Sequence, residues 1–302
     1  MAAVFPSVSE LARPLLFILS TVKQMMVNRQ LSPSPRKDRK ERNMSSRSEA
    51  PVSIRSRKVP TLYETDESKY VGPHRWQIQW WAKGIRRAME RRAYTRWLEA
   101  ACADIQVNGL EHLRHLDGPC VFIANHTSHL DTLLIHGVMP RSIRRRLFFG
   151  AAQDRWFVRG KKKLELQPWY QSLVLGNFPI LRGGGARALS YAHWLLEKKQ
   201  HVFLFPEGTR AVGDELGQFK MGAALLAIEN DIPVVPLYLS GLQAIRPKGS
   251  REVRPGRAGV DILAPVRFSP GSDPAAATAL LQERLNAVHR RYVGDVAVPD
   301  AA

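Results

Sequence analysis

The chain has 302 residues, 44% of them apolar, and only two cysteines. That is enough apolar material for one α/β domain with appendages and too few thiols for a disulfide-stapled scaffold. A formal charge of +18 calls for a negatively charged partner, whether nucleic acid, an anionic membrane surface or a phosphorylated substrate, and no run reaches the roughly 18 to 20 apolar residues expected of a bilayer-spanning helix.

Near the start, LLFIL at Leu15 to Leu19 has some features of a signal core. Glu10 precedes it, Arg13 alone supplies a positive flank, and no small-residue cleavage site follows, so it reads as a short anchor or part of a leader. From Asn28 to Pro60 the chain is rich in Ser, Pro and Arg and almost free of large apolar residues. Such a composition cannot bury enough surface to offset its ordering entropy. Residues 1–69 are therefore expected to form a basic, largely disordered leader, with Met44 as a second possible start of translation.

Residues 70–104 contain HRWQIQWWAKGIRRAMERRAYTRWLEAACAD, where Trp76, Trp80, Trp81 and Trp97 alternate with Arg75, Lys83, Arg86, Arg87, Arg91, Arg92 and Arg96. At helical spacing Ile78, Trp81, Ile85 and Met89 share one side and the arginines take much of the rest. This predicts an amphipathic helix, either lying in a membrane interface with its cations toward the head groups or packed on its own domain.

From Gly118 onward strand-like and helix-like segments alternate. VFIAN, RLFFGA, FPIL, HVFLF, IPVVPLYL and GVDIL read as short buried strands, with helical stretches at Leu130 to Val138, Ala186 to Lys199, Gly222 to Glu229 and Pro274 to Val293. The predicted fold class is α/β, a mostly parallel mixed sheet flanked by helices and preceded by the amphipathic segment. The domain is expected to span residues 105–296, with 297–302 a disordered tail. Cys102, in what reads as helix, and Cys120, at a strand, are expected to be reduced packing residues of a cytoplasmic protein.

Ligands gather beyond the carboxyl ends of parallel strands, and two strands here end in polar clusters. The first is NHTSHLD, Asn125 to Asp131. A metal reading would use His126, His129 and Asp131, but the H-x-H-x-D-H loop of metallohydrolases needs histidines where this chain has Thr127 and Thr132, and no Cys/His cluster follows. On an ideal helix His126 and Asp131 would lie about 140° apart. If the segment turns instead, Asp131 in the first helical turn can fold back and hold one imidazole nitrogen, leaving the other to take a proton. No Gly-x-Ser-x-Gly elbow is present, and Ser128 is poorly placed as a nucleophile; a base without a nucleophile suits direct transfer to a substrate hydroxyl. The second cluster is FPEGTR, Phe205 to Arg210, where Pro206 and Gly208 force a turn and Arg210 offers a planar fork for phosphate or carboxylate. A third, GNFPILRGGGAR, ends a strand at Arg182 before three glycines.

In this order and at these separations, NHTSHLD, GNFPILR, FPEGTR and IPVVPLYLSG resemble the four sequence blocks of the PlsC-like glycerolipid acyltransferases, the 1-acylglycerol-3-phosphate acyltransferase family. VNGLEHL, FKMGA and RPKGSREVRPG are also similar to that family, and the similarity spans roughly Ile105 to Phe268. The resemblance implies that His126 is the general base and Asp131 its orienter. Arg182 and Arg210 would hold the acceptor's phosphate, with Gly176, Glu207, Gly208 and Thr209 shaping that pocket, Lys220 at a basic family position and Pro236 shaping an acyl or acceptor channel. It implies no cofactor or metal, an acyl-CoA or acyl carrier protein thioester as co-substrate, a lysophospholipid acceptor, and a peripheral or monotopic place on the cytoplasmic side of an anionic membrane.

Leu181 stands where members specific for lysophosphatidic acid often carry an acidic residue, Ala211 where they carry Ser, and Pro179 where an apolar residue is more usual. Glycerol-3-phosphate or another lipid alcohol therefore stays open as acceptor. Arg141, Arg144, Arg145, Arg146, Arg155 and Arg159, with Lys161 to Lys163, read either as a solvated face or, with their neighbours Phe148, Phe149, Trp156, Phe157 and Trp169, as a membrane or CoA-phosphate surface, and the second is the expectation. A basic nucleic-acid-binding protein using the leader and the Trp/Arg segment is the reading from a different class, and the metallohydrolase is another.

Overall fold

The computed structural model describes residues 72–90, 95–157, 167–183, 185–211, 215–247 and 252–296. The expected leader and tail, Arg91, Arg92, Arg159, Lys161 to Lys163 and the side chain of Trp97 lie outside the described residues. Seven strands form one sheet: β1 (Cys102–Asn108), β2 (Val121–Ala124), β3 (Leu147–Ala152), β4 (Asn177–Ile180), β5 (His201–Leu204), β6 (Val234–Ser240) and β7 (Gly256–Ile262). Their order is β1-β7-β6-β2-β5-β3-β4, parallel throughout except for the antiparallel β6/β7 pair.

The central strands are short apolar runs because both faces are covered. On one face Phe122, Phe149, Phe203 and Leu237 pack under α3 (Asp131–Val138) through Leu134 and Ile135. On the other, Ile123, Phe148, Phe178 and Leu204 meet Tyr191 and Leu195 of α5 (Ser190–Glu197), Ala223 and Leu226 of α6 (Gly222–Asn230), and Leu281 and Leu285 of α7 (Pro274–Val296). Successive residues of one strand divide between the two cores, as a two-residue repeat requires. Burying each of these Phe, Leu and Ile side chains stabilises the fold by about 1.5–3 kcal/mol.

β1 begins at Cys102, within the stretch read as helix, and Cys102 and Cys120 are buried free thiols. The Trp/Arg segment forms two helices, α1 (Trp80–Met89) and α2 (Thr95–Ala101), preceded by a 3-10 turn at Arg75–Ile78. The helix α4 (Pro168–Leu173) leads into β4. Helix α1 packs on its own domain through Ala82, Arg86 and Met89, while Trp80 is 83% exposed.

Arg86, expected on the cationic outer face, is instead buried. Its guanidinium donates to the carbonyls of Ser172 (3.2 Å) and Gln77 (2.6 Å) and lies 4.9 Å from the centre of the Phe148 ring. A buried charge is tolerable only with such partners. Phe148, Phe149 and Phe157, expected at a surface, are also buried; the first two are β3 residues facing opposite cores. Among the described residues no helix is long and apolar enough to cross a membrane.

Because Arg86 ties α1 to α4 and to the turn at Gln77, Arg86→Ala is expected to lower unfolding free energy by about 2–4 kcal/mol, read from urea denaturation. Arg87→Ala, on the exposed side of the same helix, should change it by less than about 0.5 kcal/mol.

Candidate active site

β2, β5 and β4 run parallel and deliver three loops to the same end of the sheet. β2 ends at Ala124, and the buried Asn125 side chain then continues the sheet. Its Nδ2 donates to Leu239 O (2.9 Å) and its Oδ1 accepts Leu239 N–H (2.7 Å). This frees the following backbone to turn, and α3 starts with Asp131 in its first turn. The turn makes possible what helical spacing forbids: His126 Nδ1 lies 2.7 Å from Asp131 Oδ2. Asp131 is wholly buried and also accepts the N–H groups of Thr127 (2.8 Å) and Ser128 (3.1 Å to each oxygen).

The backbone of His126 is gripped from both sides by the segment after β5. Its N–H donates to Glu207 Oε1 (2.8 Å), and its carbonyl accepts Ala211 N–H (2.7 Å). The second oxygen of Glu207 accepts Gly217 N–H (3.0 Å). Burial pushes the Glu207 carboxyl up from its ordinary range, while the N–H groups of His126 and Gly217 oppose that shift. The Phe205 ring stacks on the His126 imidazole, with centroids 4.1 Å apart. Glu207, expected to shape a phosphate pocket, is thus turned inward as a brace. FPEGTR reads as a ligand loop because nothing in its spacing shows which way the carboxylate points.

Arg182 leaves the end of β4 and is about half exposed. Its Nη2 approaches Gly208 O (3.4 Å), and its Nη1 lies 3.5 Å from Asp154 Oδ2. Gly208 has φ +70°, and a Cβ there would come within 2.8 Å of Lys220 Nζ, so Gly208 lets Lys220 cross close to the turn. Thr209 is exposed beside it, and Arg210 is half-buried. Burial lowers the Arg210 pKa, as do the charges of Arg155 and Arg246, while Asp131 raises it. The structure therefore gathers Arg182, Gly208, Thr209, Arg210 and Lys220 around the loop that holds His126.

Two expected residues do not join them. Gly176 precedes β4, at the amino end of the strand that has Arg182 beyond its other end, and packs against Arg86; its φ of +67° and the 3.2 Å approach that a Cβ would make to Arg86 Cδ explain the glycine. Pro236 is buried within β6, paired with Ile123; its carbonyl accepts Leu263 N–H (2.9 Å), and it stands between the Val234–Val266 bridge and the start of the β6/β7 ladder at Leu237. A proline fits a sheet interior only where a ladder bond is missing.

Ser128 is wholly buried, and its hydroxyl donates to Arg246 O (3.0 Å). His129 lies edge-on to Trp156 (5.9 Å), over which Arg155 stacks at 5.5 Å. Desolvation, then the charges of Arg210, Arg246, His126 and Arg155, lower its pKa to about 4. Arg246 and the brace on Gly217 were missed from sequence; the one signal for Arg246 is that it opens RPKGSREVRPG. Among the described residues no group of three or more His, Cys, Asp or Glu side chains is placed to share a metal ion. A cavity of about 700 Å³ lined by Asn108, His112, Asp261, Arg284 and Tyr292 opens where β1 and β7 end, opposite the three loops.

Residues 104–240 match a family model described as Acyltransferase. The chain is 34% identical over 152 residues to a chloroplastic 1-acyl-sn-glycerol-3-phosphate acyltransferase of Brassica napus, covering 49% of this chain and 40% of that protein. It is 30% identical over 193 residues to the alpha 1-acyl-sn-glycerol-3-phosphate acyltransferase of Mus musculus, covering 60% and 62%, and 28% identical over 195 residues to the enzyme of that name from Pseudomonas aeruginosa, covering 62% and 68%. The chain thus spans less than two thirds of the length of the plant and mouse relatives. The crystal structure of the 1-acyl-sn-glycerophosphate (LPA) acyltransferase PlsC from Thermotoga maritima shares the fold, with a TM-score of 0.51 and 24% identity over 73% of this chain and 81% of that one.

If Glu207 braces His126, Glu207→Gln keeps an oxygen for one N–H but sets its amide N–H against the other. Displacements of about 1 Å cost on the order of 100-fold in turnover. The expected outcome, from steady-state kinetics of whatever reaction His126 serves, is a kcat reduced by more than about tenfold with little change in acceptor KM.

Proposed function

We propose that this chain, whose residues 104–240 match the Acyltransferase family model and which is similar to 1-acyl-sn-glycerol-3-phosphate acyltransferases, is a PlsC-like acyltransferase that moves a fatty acyl group from an acyl-CoA or acyl carrier protein thioester to the hydroxyl of a lysophospholipid. The acceptor that best fits the cationic loops is 1-acylglycerol-3-phosphate, which would become phosphatidic acid. One observation carries the chemistry: a histidine held 2.7 Å from a buried carboxylate, in a loop whose serine hydroxyl is committed to a backbone carbonyl. That arrangement offers a base and withholds a nucleophile.

In the proposed reaction Asp131 accepts the Nδ1 proton bond and so fixes the ring, leaving Nε2 to take the proton from the acceptor hydroxyl. The acceptor oxygen attacks the thioester carbonyl, forming the C–O bond. The tetrahedral intermediate collapses with cleavage of the C–S bond, and the departing thiolate recovers the proton from the imidazolium. No enzyme-bound acyl group is formed. Arg182 and Arg210, with Lys220, supply the positive charge that would hold the acceptor's phosphate.

Membrane association belongs to the same proposal. Trp80 stands exposed on α1, and Arg75 and Arg87 are exposed nearby, a combination suited to an anionic lipid surface on the cytoplasmic leaflet, with the protein peripheral or monotopic.

The test is transfer from a radiolabelled long-chain acyl-CoA to lysophosphatidate, other lysophospholipids, glycerol-3-phosphate or no acceptor. Acceptor-dependent product is expected, and His126→Ala should lose roughly 100 to 10,000-fold in turnover; full activity in that variant would refute the mechanism. Arg182→Ala and Arg210→Ala are expected to raise the apparent KM for a phosphorylated acceptor more than for the thioester. Lysine at either place should rescue only partly, since it lacks the planar fork.

A further inference from the structure

The reaction above uses two edges of the His126 imidazole, Nδ1 toward Asp131 and Nε2 toward the acceptor, and gives the face of the ring no task. Phe205 covers that face. Its ring lies with its centroid 4.1 Å from that of the imidazole and its plane 22° from parallel, and the His126 side chain keeps 21% of its surface exposed.

Phe205 is itself fixed from behind. Its ring tilts against Phe203, with centroids 5.3 Å apart, and Phe203 stacks in turn on Phe149 at 5.0 Å, so this aromatic column is rooted in the buried core under α3. Just beyond Phe205 the chain turns, with Gly208 N–H donating to Phe205 O (3.0 Å), and Glu207 accepts the backbone N–H of His126 (2.8 Å). One short segment thus grips the same histidine by its backbone and by its ring.

We propose that Phe205 is a positioning residue of the transfer step, whose ring face fixes the plane of the His126 imidazole and stabilises the positive charge that the imidazole acquires on taking the acceptor's proton. The proposal rests on the acyl-transfer reading and adds a group that acts only through the base. The face of a benzene ring carries the negative part of its quadrupole, and a cation within about 6 Å of the centroid is attracted to it. A neutral imidazole gains little from that face, and an imidazolium gains more. The contact therefore strengthens as the proton moves and lowers the barrier without tightening the binding of either substrate. An aliphatic side chain in the same place would strip water from one face of the imidazolium and return nothing for it.

The experiment measures single-turnover acyl transfer from a long-chain acyl thioester to the acceptor that native protein uses best. Native protein is compared with Phe205→Leu, Phe205→Tyr and protein carrying mono-, tri- or pentafluorophenylalanine at position 205. Fluorine drains electron density from the ring face and nearly keeps its shape, so a packing role gives one rate across that series. The proposal expects rates that fall in order of fluorine content, by about three- to thirtyfold for the pentafluoro ring, with the half-saturating concentrations of both substrates near native. Phe205→Leu should lose a similar factor, and Phe205→Tyr, which keeps the ring face, less than about twofold.

Melting temperatures close to native across the fluorinated series separate a slower step from a loss of folded protein, and that series decides even where Phe205→Leu fails to fold. Rates independent of fluorine content, in protein that does transfer the acyl group, would overturn the proposal and leave the reaction standing. Absence of transfer by native protein, from either thioester to any lysophospholipid, would overturn the reaction and the proposal with it.

Discussion

The carboxylate of Asp131 is the constraint around which the rest of the site is organised. It is wholly buried, and an ion out of water without partners would cost several kcal/mol. Here it is met by the imidazole of His126 and the N–H groups of Thr127 and Ser128, which requires the chain to turn back on itself between the end of β2 and the start of α3. Asn125, bonded to both polar groups of Leu239, lets that turn begin in the middle of the sheet without leaving strand groups unpaired. Orientation of the imidazole follows from satisfaction of the carboxylate.

The sheet order turns this local knot into a site. β2 lies between β5 and β6, both parallel to it, so the loops after β2, β5 and β6 emerge side by side although they are far apart in the chain. The β5 loop supplies Glu207 and Ala211 to the backbone of His126 and Phe205 to its ring. The β6 loop is fastened to Ser128. Positive charge from Arg182, Arg210 and Lys220 collects at the same edge, where a phosphorylated acceptor would complete the proposed chemistry. The family likeness and the geometry thus converge on one end of one sheet.

Much of the fold is legible in the sequence because the central strands β2, β5 and β6 are buried almost throughout and appear as apolar runs. β1 is not, since an edge strand with exposed Ala103 and Asp104 carries too few apolar residues to stand out from the helix before it. The His126–Asp131 pairing was legible because a histidine and an aspartate five residues apart at a strand end have few ways to meet. What stayed hidden were directions. Arg86 looks like any surface cation until the carbonyls of Ser172 and Gln77 are in place. Gly176 and Arg182 share a sequence block, but β4 separates them to opposite ends of the sheet. Glu207 sits in a ligand-like motif yet faces the backbone of His126.

The most direct test of this account is the turnover of Asp131→Asn with lysophosphatidate and acyl-CoA, set against native protein of matched thermal stability. An amide of the same shape can keep either the N–H donors or the correct imidazole tautomer, but not both, so kcat should fall roughly 100 to 10,000-fold with KM values near native. A kcat within about threefold of native, less than a single kcal/mol of barrier, would contradict the claim that this carboxylate holds the catalytic base.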